Sequence, residues 1–128
     1  MKLQNDLYTI ISEMHTKDLH DYTILFNDKH FIYKAHFPDK PITPGVCIMQ
    51  IAFELVQYTL DKKLMLSAVK NVKFLEIISP DKQREVHFTI NKINETSDSI
   101  AEGTFKAQIS VTSADSVYAK LSLIMQPE

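Results

Sequence analysis

The residues best suited to chemistry lie in the run from His36 to Val46, which reads HFPDKPITPGV. Three of the five prolines and one of the two glycines of the chain fall within it. Prolines at this spacing fix φ and remove backbone donors, so the run is expected to form a stiff, extended loop. An imidazole with an ordinary pKa of about 6.5 suits a general base near neutral pH. Taken alone, His36 could equally be a surface or hydrogen-bonded histidine.

The end of this run predicts the start of a helix. Thr43 is a plausible N-cap and Pro44 suits the first helical position, which would put Gly45 second. The first amides of a helix lack internal partners and lie at its positive end. The Gly45 N–H is therefore a candidate donor to a carbonyl oxygen that gains negative charge during a reaction. The Thr43 hydroxyl could instead cap this same amide, and the residues alone leave both possibilities open.

The elements before and after this loop must position it. Val46–Leu60 contains no glycine or proline and predicts a long, largely apolar helix. The apolar spacing between Leu3 and Met14 predicts a short amphipathic helix at the N-terminus. Tyr22–Phe26 and Phe31–Phe37 are rich in aromatic and β-branched residues, and Asn27–Lys29 between them predicts a hairpin turn.

The second half of the chain changes to a period of two, which predicts strands. Turn-forming clusters separate four such runs, as expected for an antiparallel meander. The predicted strands are Val69–Ile77, Glu85–Ile93, Ala101–Val111 and Val117–Met125. The order favours an α+β fold in which a curved antiparallel sheet wraps the long helix. An α+β sandwich with the helix packed on only one face is the alternative.

Composition narrows the class of protein. A chain of 128 residues with a net charge of -2 fits one domain and argues against a nucleic-acid binder. The single cysteine, Cys47, excludes an intramolecular disulfide and a multi-cysteine metal site, and it has no evident base partner. No run is long and apolar enough for a signal peptide or a membrane span, so a cytoplasmic location is expected. No metal-ligand spacing or cofactor motif is visible.

The run HFPDKPITPGV closely resembles the HFPGxPxxPGV signature of the hot-dog-fold 3-hydroxyacyl-(acyl carrier protein) dehydratases, departing from it at Asp39. The resemblance extends from about Tyr22 to the end of the chain. It implies one hot-dog domain over residues 1–128, with a long central helix wrapped by the sheet. It also implies dehydration of a 3-hydroxyacyl thioester to the trans-2-enoyl thioester, without a cofactor, in fatty-acid or related lipid or polyene biosynthesis.

In that family, the signature histidine abstracts the α-proton and the signature glycine amide binds the thioester carbonyl. The resemblance assigns these roles to His36 and Gly45. An acid fourteen residues after the histidine protonates the departing hydroxyl, but here that position is Gln50. An amide has no accessible acidic form. Glu54 lies one turn later, where the family commonly has glutamine, so the two residue types look exchanged.

Gln50 and Glu54 belong to a polar stripe that continues through Gln57 and Asp61 on an otherwise apolar helix. Three interpretations are open. The stripe is a solvated or subunit-facing edge, or Glu54 is the acid at a shifted position, or Gln50 only orients substrate or water. The remaining residues expected at the substrate are Phe37, Pro44, Val46, Met49 and Phe53.

The resemblance also implies partners. Subunits of this fold pair edge to edge, with the histidine and the helix acid from opposite subunits, so a homodimer or higher oligomer with interface sites is expected. The acyl group would arrive on acyl carrier protein or coenzyme A. Lys40, Lys70, Lys73 and Arg84 are candidates to meet an acidic carrier protein. The alternative functions are a hot-dog thioesterase and a catalytically reduced acyl-thioester-binding subunit.

Overall fold

The computed structural model describes residues 2–35, 39–81, 83–95 and 103–128. Six strands and two helices make up this part of the chain. In chain order they are β1 (Tyr8–His15), β2 (Leu19–Phe26), α1 (Ile32–Ala35), α2 (Gly45–Leu60), β3 (Leu64–Phe74), β4 (Glu85–Glu95), β5 (Phe105–Thr112) and β6 (Val117–Pro127). Neither helix in these ranges is long and apolar enough to cross a membrane.

The strands form one antiparallel sheet in the order β1-β2-β4-β5-β6-β3. The predicted meander is confirmed for β4, β5 and β6, which are neighbours in chain order. It is wrong for β3, which pairs with β6 and therefore forms an edge of the sheet, because the connection after Phe74 crosses to the sheet interior. Register shifts interrupt four of the five pairings, and such bulges bend the strands that carry them.

Helix α2 packs its apolar face against this sheet. Strand β4 alternates, so Val86, Phe88 and Ile90 are fully buried while their neighbours are more exposed. The buried residues of α2 meet this face and include Cys47, Ile48, Ile51, Ala52, Leu55 and Val56. The expected α+β arrangement, with the long helix against an antiparallel sheet, is confirmed.

Two predictions for the first third of the chain are wrong. The apolar residues between Leu3 and Met14 do not form a helix. Leu3 and Leu7 are buried by a turn, and β1 follows as an edge strand paired with β2. The hairpin partner of β2 is thus β1, and the described part of the predicted strand Phe31–Phe37 forms the single helical turn α1 instead, while residues 36 and 37 lie outside the described residues.

Candidate active site

The N-terminal end of α2 is built differently from the prediction. Pro44 is the N-cap, with φ -62° and ψ 146°, and Gly45 is the first helical residue. The predicted N-cap, Thr43, is wrong because its hydroxyl lies 2.9 Å from the Tyr33 hydroxyl and does not cap the helix. The Thr43 N–H donates to the Ile78 carbonyl at 2.9 Å, so the buried threonine is fixed on both sides.

This leaves the first amides of α2 available. The Pro44 carbonyl accepts hydrogen bonds from the N–H groups of Cys47 and Ile48, at 3.0 and 3.2 Å. Among the described residues, no acceptor pairs with the amides of Gly45 and Val46. The Val46 side chain is 60% exposed, so solvent reaches this end of the helix. The positive end of the helix dipole thus presents uncapped donors, as an oxyanion site requires.

Gly45 also allows close packing of an aromatic ring. A Cβ at this position would lie 2.8 Å from Cζ of Phe74, the last residue of β3. Real Cβ contacts are essentially never this short, so any larger residue at position 45 would displace the Phe74 ring. Phe74 is 49% exposed, which leaves part of the ring free beside the uncapped amides.

The proposed base lies outside the described residues. His36, Phe37 and Pro38 are not covered, so the roles of His36 as base and Phe37 as an acyl contact stay predictions. The segments on either side are described, and the buried Tyr33–Thr43 hydrogen bond joins them. This bond ties α1 to the residue before the α2 N-cap, and it therefore brings the two ends of the loop together.

The carboxylate of Glu54 has a full set of hydrogen-bond donors. The backbone N–H of Leu3 donates to Oε2 at 2.7 Å and that of Gln4 donates to Oε1 at 2.8 Å. The Tyr8 hydroxyl donates to Oε1 at 3.0 Å, and Nε2 of Gln50 donates to Oε2 at 2.9 Å. Glu54 is only 8% exposed. With four donors, this buried carboxylate acts as a hydrogen-bond acceptor. Its contacts with Leu3, Gln4 and Tyr8 hold residues 3–8 against α2.

Tyr8 is the side chain most affected by this anchor. Burial raises the pKa of Tyr8 far above its ordinary value, and the charge and hydrogen bond of Glu54 raise it further. The Tyr8 hydroxyl is therefore a fixed donor to Glu54 across the ordinary pH range. The solvated-edge interpretation does not describe Glu54, which is buried.

The other members of the polar stripe have separate roles. Oε1 of Gln57 accepts a hydrogen bond from the Leu64 N–H at 2.8 Å and so fixes the start of β3. Asp61 adopts a left-handed conformation, φ 52°, and its N–H donates to the Gln57 carbonyl to end α2. Of the four residues in the stripe, Gln50 is the nearest to the helix start. It lies one turn after Val46 on the same face of α2.

A cleft of about 690 Å³ opens along this side of α2. Gln50, Phe53 and Glu54 line it together with the N-terminal residues Lys2 and Gln4. Met49 and Phe53, both predicted acyl contacts, are half-buried and pack against the core. Phe53 also lines the cleft, whereas Met49 is not among its lining residues.

Cys47 is buried in the core, and burial raises the pKa of its thiol. Its expected role as a packing residue rather than a nucleophile agrees with this position. Within the described ranges, no group of histidine, cysteine, aspartate or glutamate side chains has the geometry to hold a metal ion.

Comparison of the sequence with known proteins finds dehydratases. The family model described as ApeI-like, ApeI dehydratase, matches residues 12–114. The 3-hydroxyacyl-[acyl-carrier-protein] dehydratase FabZ of Clostridium acetobutylicum is 34% identical over 77 residues, which are 55% of this chain and 53% of that protein. The FabZ of Rickettsia bellii is 32% identical over 68 residues, 47% of each. The chain spans about half the length of the curated relatives it matches.

Solved structures with the same fold include the dehydratase heterocomplex ApeI:P from Xenorhabdus doucetiae, at a TM-score of 0.60 and 16% identity. That match covers 90% of this chain and 96% of the other. A thioesterase from Haemophilus influenzae matches at a TM-score of 0.65 and 12% identity, covering 95% and 79%. At these identities the likeness concerns the fold, and the predicted hot-dog fold is confirmed.

Proposed function

The chain belongs to the ApeI-like dehydratase family, and on that premise we propose that it removes water from a 3-hydroxyacyl thioester. The product is the trans-2-enoyl thioester. The observation that carries this proposal is the uncapped start of α2, where the amides of Gly45 and Val46 have no acceptor among the described residues and the Thr43 hydroxyl pairs with Tyr33 instead. A thioester carbonyl needs such donors when it becomes an enolate.

The proposed reaction uses this site for its first step. His36 takes the proton from the carbon next to the carbonyl, and the electron pair moves onto the carbonyl oxygen. The Gly45 N–H, at the positive end of α2, stabilises that oxygen. The electron pair then returns to form the double bond between the second and third carbons, and the hydroxyl group leaves from the third carbon as water.

The departing hydroxyl needs a proton. Gln50 holds the position that the family gives to an acid, and its amide cannot supply one. Glu54 remains the predicted acid of the shifted arrangement, but its four donors favour an anchoring role. We propose that the imidazolium of His36, which carries the proton from the first step, returns it to the hydroxyl. One group then serves as base and acid, and no second acid is required.

The acyl group is proposed to arrive on acyl carrier protein or coenzyme A, at an interface between two copies of the chain. Strand β3 is an edge of the sheet. On or just after it, four apolar side chains are between 48% and 57% exposed, namely Met65, Phe74, Leu75 and Ile77. An edge with this much exposed apolar surface favours pairing with another chain.

A second candidate is an acyl-thioester-binding subunit that works beside a different dehydratase chain. The observation that favours it is the amide at position 50 together with the Glu54 carboxylate that is already held by other groups. The similar structure from Xenorhabdus doucetiae is described as a dehydratase heterocomplex, ApeI:P, so a complex of different chains occurs with this fold. Thioester hydrolysis is the remaining alternative, since the fold also occurs in a thioesterase.

One assay separates these functions. The purified protein is incubated with 3-hydroxybutyryl thioesters of carrier protein and of coenzyme A, while double-bond absorbance and free thiol are followed together. Double-bond formation without thiol release, lost in His36→Ala, supports the proposed dehydratase. Thiol release contradicts it and supports a thioesterase. Binding with neither change contradicts it and supports the binding subunit.

A further inference from the structure

The imidazole of His30 is buried just before α1, and both of its ring nitrogens are engaged. The Ile32 N–H donates to Nδ1 at 3.1 Å, so this nitrogen carries a lone pair. Nε2 lies 3.1 Å from Oδ2 of Asp6. Because an ionised carboxylate only accepts hydrogen bonds, the ring proton is on Nε2. His30 is therefore held as a single neutral tautomer.

The groups around this ring hold it in place. Phe31 stacks on it, with ring centroids 4.7 Å apart and the planes inclined by 28°. The His30 N–H donates to the Asn27 carbonyl at 3.1 Å, and the Tyr33 N–H donates to the His30 carbonyl at 3.2 Å. Only 6% of the His30 side chain is exposed. The ring thus has little freedom to turn away from the start of α1.

Helix α1 depends on contacts of this kind because it is a single turn. A helix of four residues forms few internal hydrogen bonds and is not stable alone. Nδ1 of His30 accepts one of the N–H groups at its start, which have no partner inside the helix. An Asn or Asp side chain makes the same contact when it accepts the N–H two residues later in a turn. His30 therefore stabilises α1 as such a turn residue does.

Through α1, His30 is connected to both ends of the loop before α2. Ala35 is the last residue of α1, and His36, the proposed base, follows it in the chain. Tyr33, in the same turn, forms the buried hydrogen bond with Thr43. Thr43 directly precedes the N-cap of α2 and its uncapped amides. A displacement of α1 would therefore disturb the loop at both ends.

The other partner of His30 belongs to the N-terminal segment that Glu54 holds against α2. Asp6 lies between Gln4 and Tyr8, whose N–H and hydroxyl groups donate to the Glu54 carboxylate at 2.8 and 3.0 Å. Contacts therefore run from α2 through this segment and His30 to α1, and from α1 back to the start of α2.

From this closed set of contacts we propose that His30 is a positioning residue for dehydration, which acts by accepting the Ile32 N–H and not by touching the substrate. The acceptor at Nδ1 is the required feature, so another side chain with an acceptor at that point can replace the ring. The inference rests on the proposed function for the reaction that His30 serves. Its structural part, the hold of position 30 on Thr43 through α1, does not depend on any reaction.

Two substitutions at position 30 test the proposal. His30→Leu is apolar and leaves the Ile32 N–H without its acceptor. His30→Asn places Oδ1 where it can accept the N–H two residues later. We expect kcat for a 3-hydroxybutyryl thioester to fall about tenfold in His30→Leu, the equivalent of one ordinary hydrogen bond. KM should change less than about twofold, because alignment is lost and binding is kept. His30→Asn should keep kcat within about threefold of the wild-type value.

Amide hydrogen exchange gives a readout that needs no reaction. The Thr43 N–H donates to the Ile78 carbonyl, and it lies on the far side of α1 from His30 along the chain of contacts. We expect it to exchange at least about tenfold faster in His30→Leu than in the wild-type protein. His30→Asn should exchange at close to the wild-type rate, since the contact with Ile32 is kept.

His87→Leu is the matched control. Nδ1 of His87 lies 3.0 Å from the Thr23 hydroxyl and 3.4 Å from the Asp21 carboxylate, so this histidine also has two polar partners. It lies on β4 between two buried residues, and its side chain is therefore on the face of the sheet away from α2. The change should leave kcat and the exchange of the Thr43 N–H as they are in the wild-type protein.

A folded His30→Leu protein with wild-type kcat and wild-type exchange at Thr43 overturns the proposal. A His30→Asn protein as impaired as His30→Leu does the same, and so does a fall in kcat without faster exchange. An equal loss in His87→Leu also overturns it. If His30→Leu does not fold, Tyr33→Phe removes the contact with Thr43 while His30 stays, and unchanged kcat in that variant overturns the proposal.

Failure of the proposed function is recognised separately. A wild-type protein that forms no enoyl thioester contradicts the dehydratase function, and the exchange rates then decide whether His30 holds Thr43. Faster exchange in His30→Leu that His30→Asn reverses supports this hold in either case. Dehydration by the wild-type protein with no effect of His30→Leu supports the function and overturns the role of His30.

Discussion

Nε2 of Gln50 lies 2.9 Å from Oε2 of Glu54, one helical turn further along α2. Position 50 is where related dehydratases are expected to carry an acid, and Glu54 anchors the N-terminal segment. The hydrogen bond between the two side chains connects these positions. The carboxylate accepts donors from Leu3, Gln4 and Tyr8. The exchange of residue types between positions 50 and 54 thus has a structural consequence, because the acid at 54 fastens residues 3–8 to the helix.

Gln50→Glu is expected to increase dehydration. The variant would place a second carboxyl group in contact with Glu54, and two carboxylates so close cannot both ionise. They would share a proton, with one apparent pKa raised toward neutral pH, and a protonated carboxyl group at position 50 is a competent general acid. We expect kcat for a 3-hydroxybutyryl thioester to rise by about 10². The rate should fall as pH rises and this shared proton is lost.

The matched control for this prediction is the double variant Gln50→Glu/Glu54→Gln, which restores the residue types expected of the family. It should also dehydrate faster than the wild-type protein, with its acidic group titrating at lower pH because the second carboxylate is absent. A Gln50→Glu protein that folds, binds substrate and shows no gain in kcat would contradict the assigned position of the acid.

Gly45→Ala should impair the site far more than the fold. Alanine favours a helix by up to about 1 kcal/mol over glycine, which offsets the displacement of the half-exposed Phe74 ring. We therefore expect the free energy of unfolding to change by less than about 1 kcal/mol. The displaced ring and the new methyl group crowd the uncapped amides, so kcat/KM should fall at least about tenfold.

Urea unfolding and steady-state kinetics check the Gly45→Ala prediction together. Adding Phe74→Leu to Gly45→Ala relieves the clash and supplies the control for displacement of the ring. Full activity of the single variant would show that close approach to Gly45 is not needed.

Stability at alkaline pH should depend on Tyr33. Burial raises the pKa of Tyr33 from an ordinary value of 10.0 to about 12, against the opposing effect of the hydrogen bond with Thr43, which lowers it. A raised pKa means that the folded state binds the proton more tightly than the unfolded state. The contribution is therefore complete below pH 10 and is lost as pH rises toward 12, by about 2 kcal/mol. Tyr8 adds a loss in the same direction.

Urea unfolding between pH 8 and 12 measures this loss. Tyr33→Phe should show a shallower decline above pH 10 than the wild-type protein, since the ionising group is gone. It should be less stable at pH 8, where the buried Thr43 hydroxyl loses its partner. Parallel declines in the two proteins would exclude Tyr33 as a source of the pH dependence.

Met65→Lys should disrupt assembly through β3. Met65 is 48% exposed on this edge strand, and a lysine there places a charge where another chain would pair. Sedimentation equilibrium should show a smaller species or a dissociation constant at least about tenfold higher. Ile11→Lys makes the matching change on the other edge strand, β1, at the same exposure of 48%, and should leave assembly unchanged. Equal effects of the two changes would remove β3 from the interface.

The sequence predicted the parts of the fold that local patterns specify. The uninterrupted apolar run gave α2 within one residue, and the alternating runs gave β4 and β6 within two. The N-terminal segment was predicted wrongly because its apolar residues fit a helical period, whereas their burial depends on α2 and β2, which are distant in sequence. Thr43 was predicted as a cap because its actual partner, Tyr33, is ten residues away.

The role of Glu54 could not be predicted from the sequence for the same reason. Its partners Leu3, Gln4 and Tyr8 precede it by 46 to 51 residues, and two of them bind through backbone N–H groups that leave no trace in residue type. The predicted site residue Gly45, by contrast, depends on a local helix start, and the structure places it there with its amide uncapped.

The start of α2 is proposed to hold a 3-hydroxyacyl thioester whose hydroxyl group leaves as water. The most direct measurement follows double-bond absorbance and free thiol in one sample of purified protein with 3-hydroxybutyryl carrier protein. We expect slow, reversible formation of the enoyl thioester with no thiol released, abolished in His36→Ala and accelerated in Gln50→Glu. Release of thiol, or an enoyl product that forms equally well without His36, would contradict it.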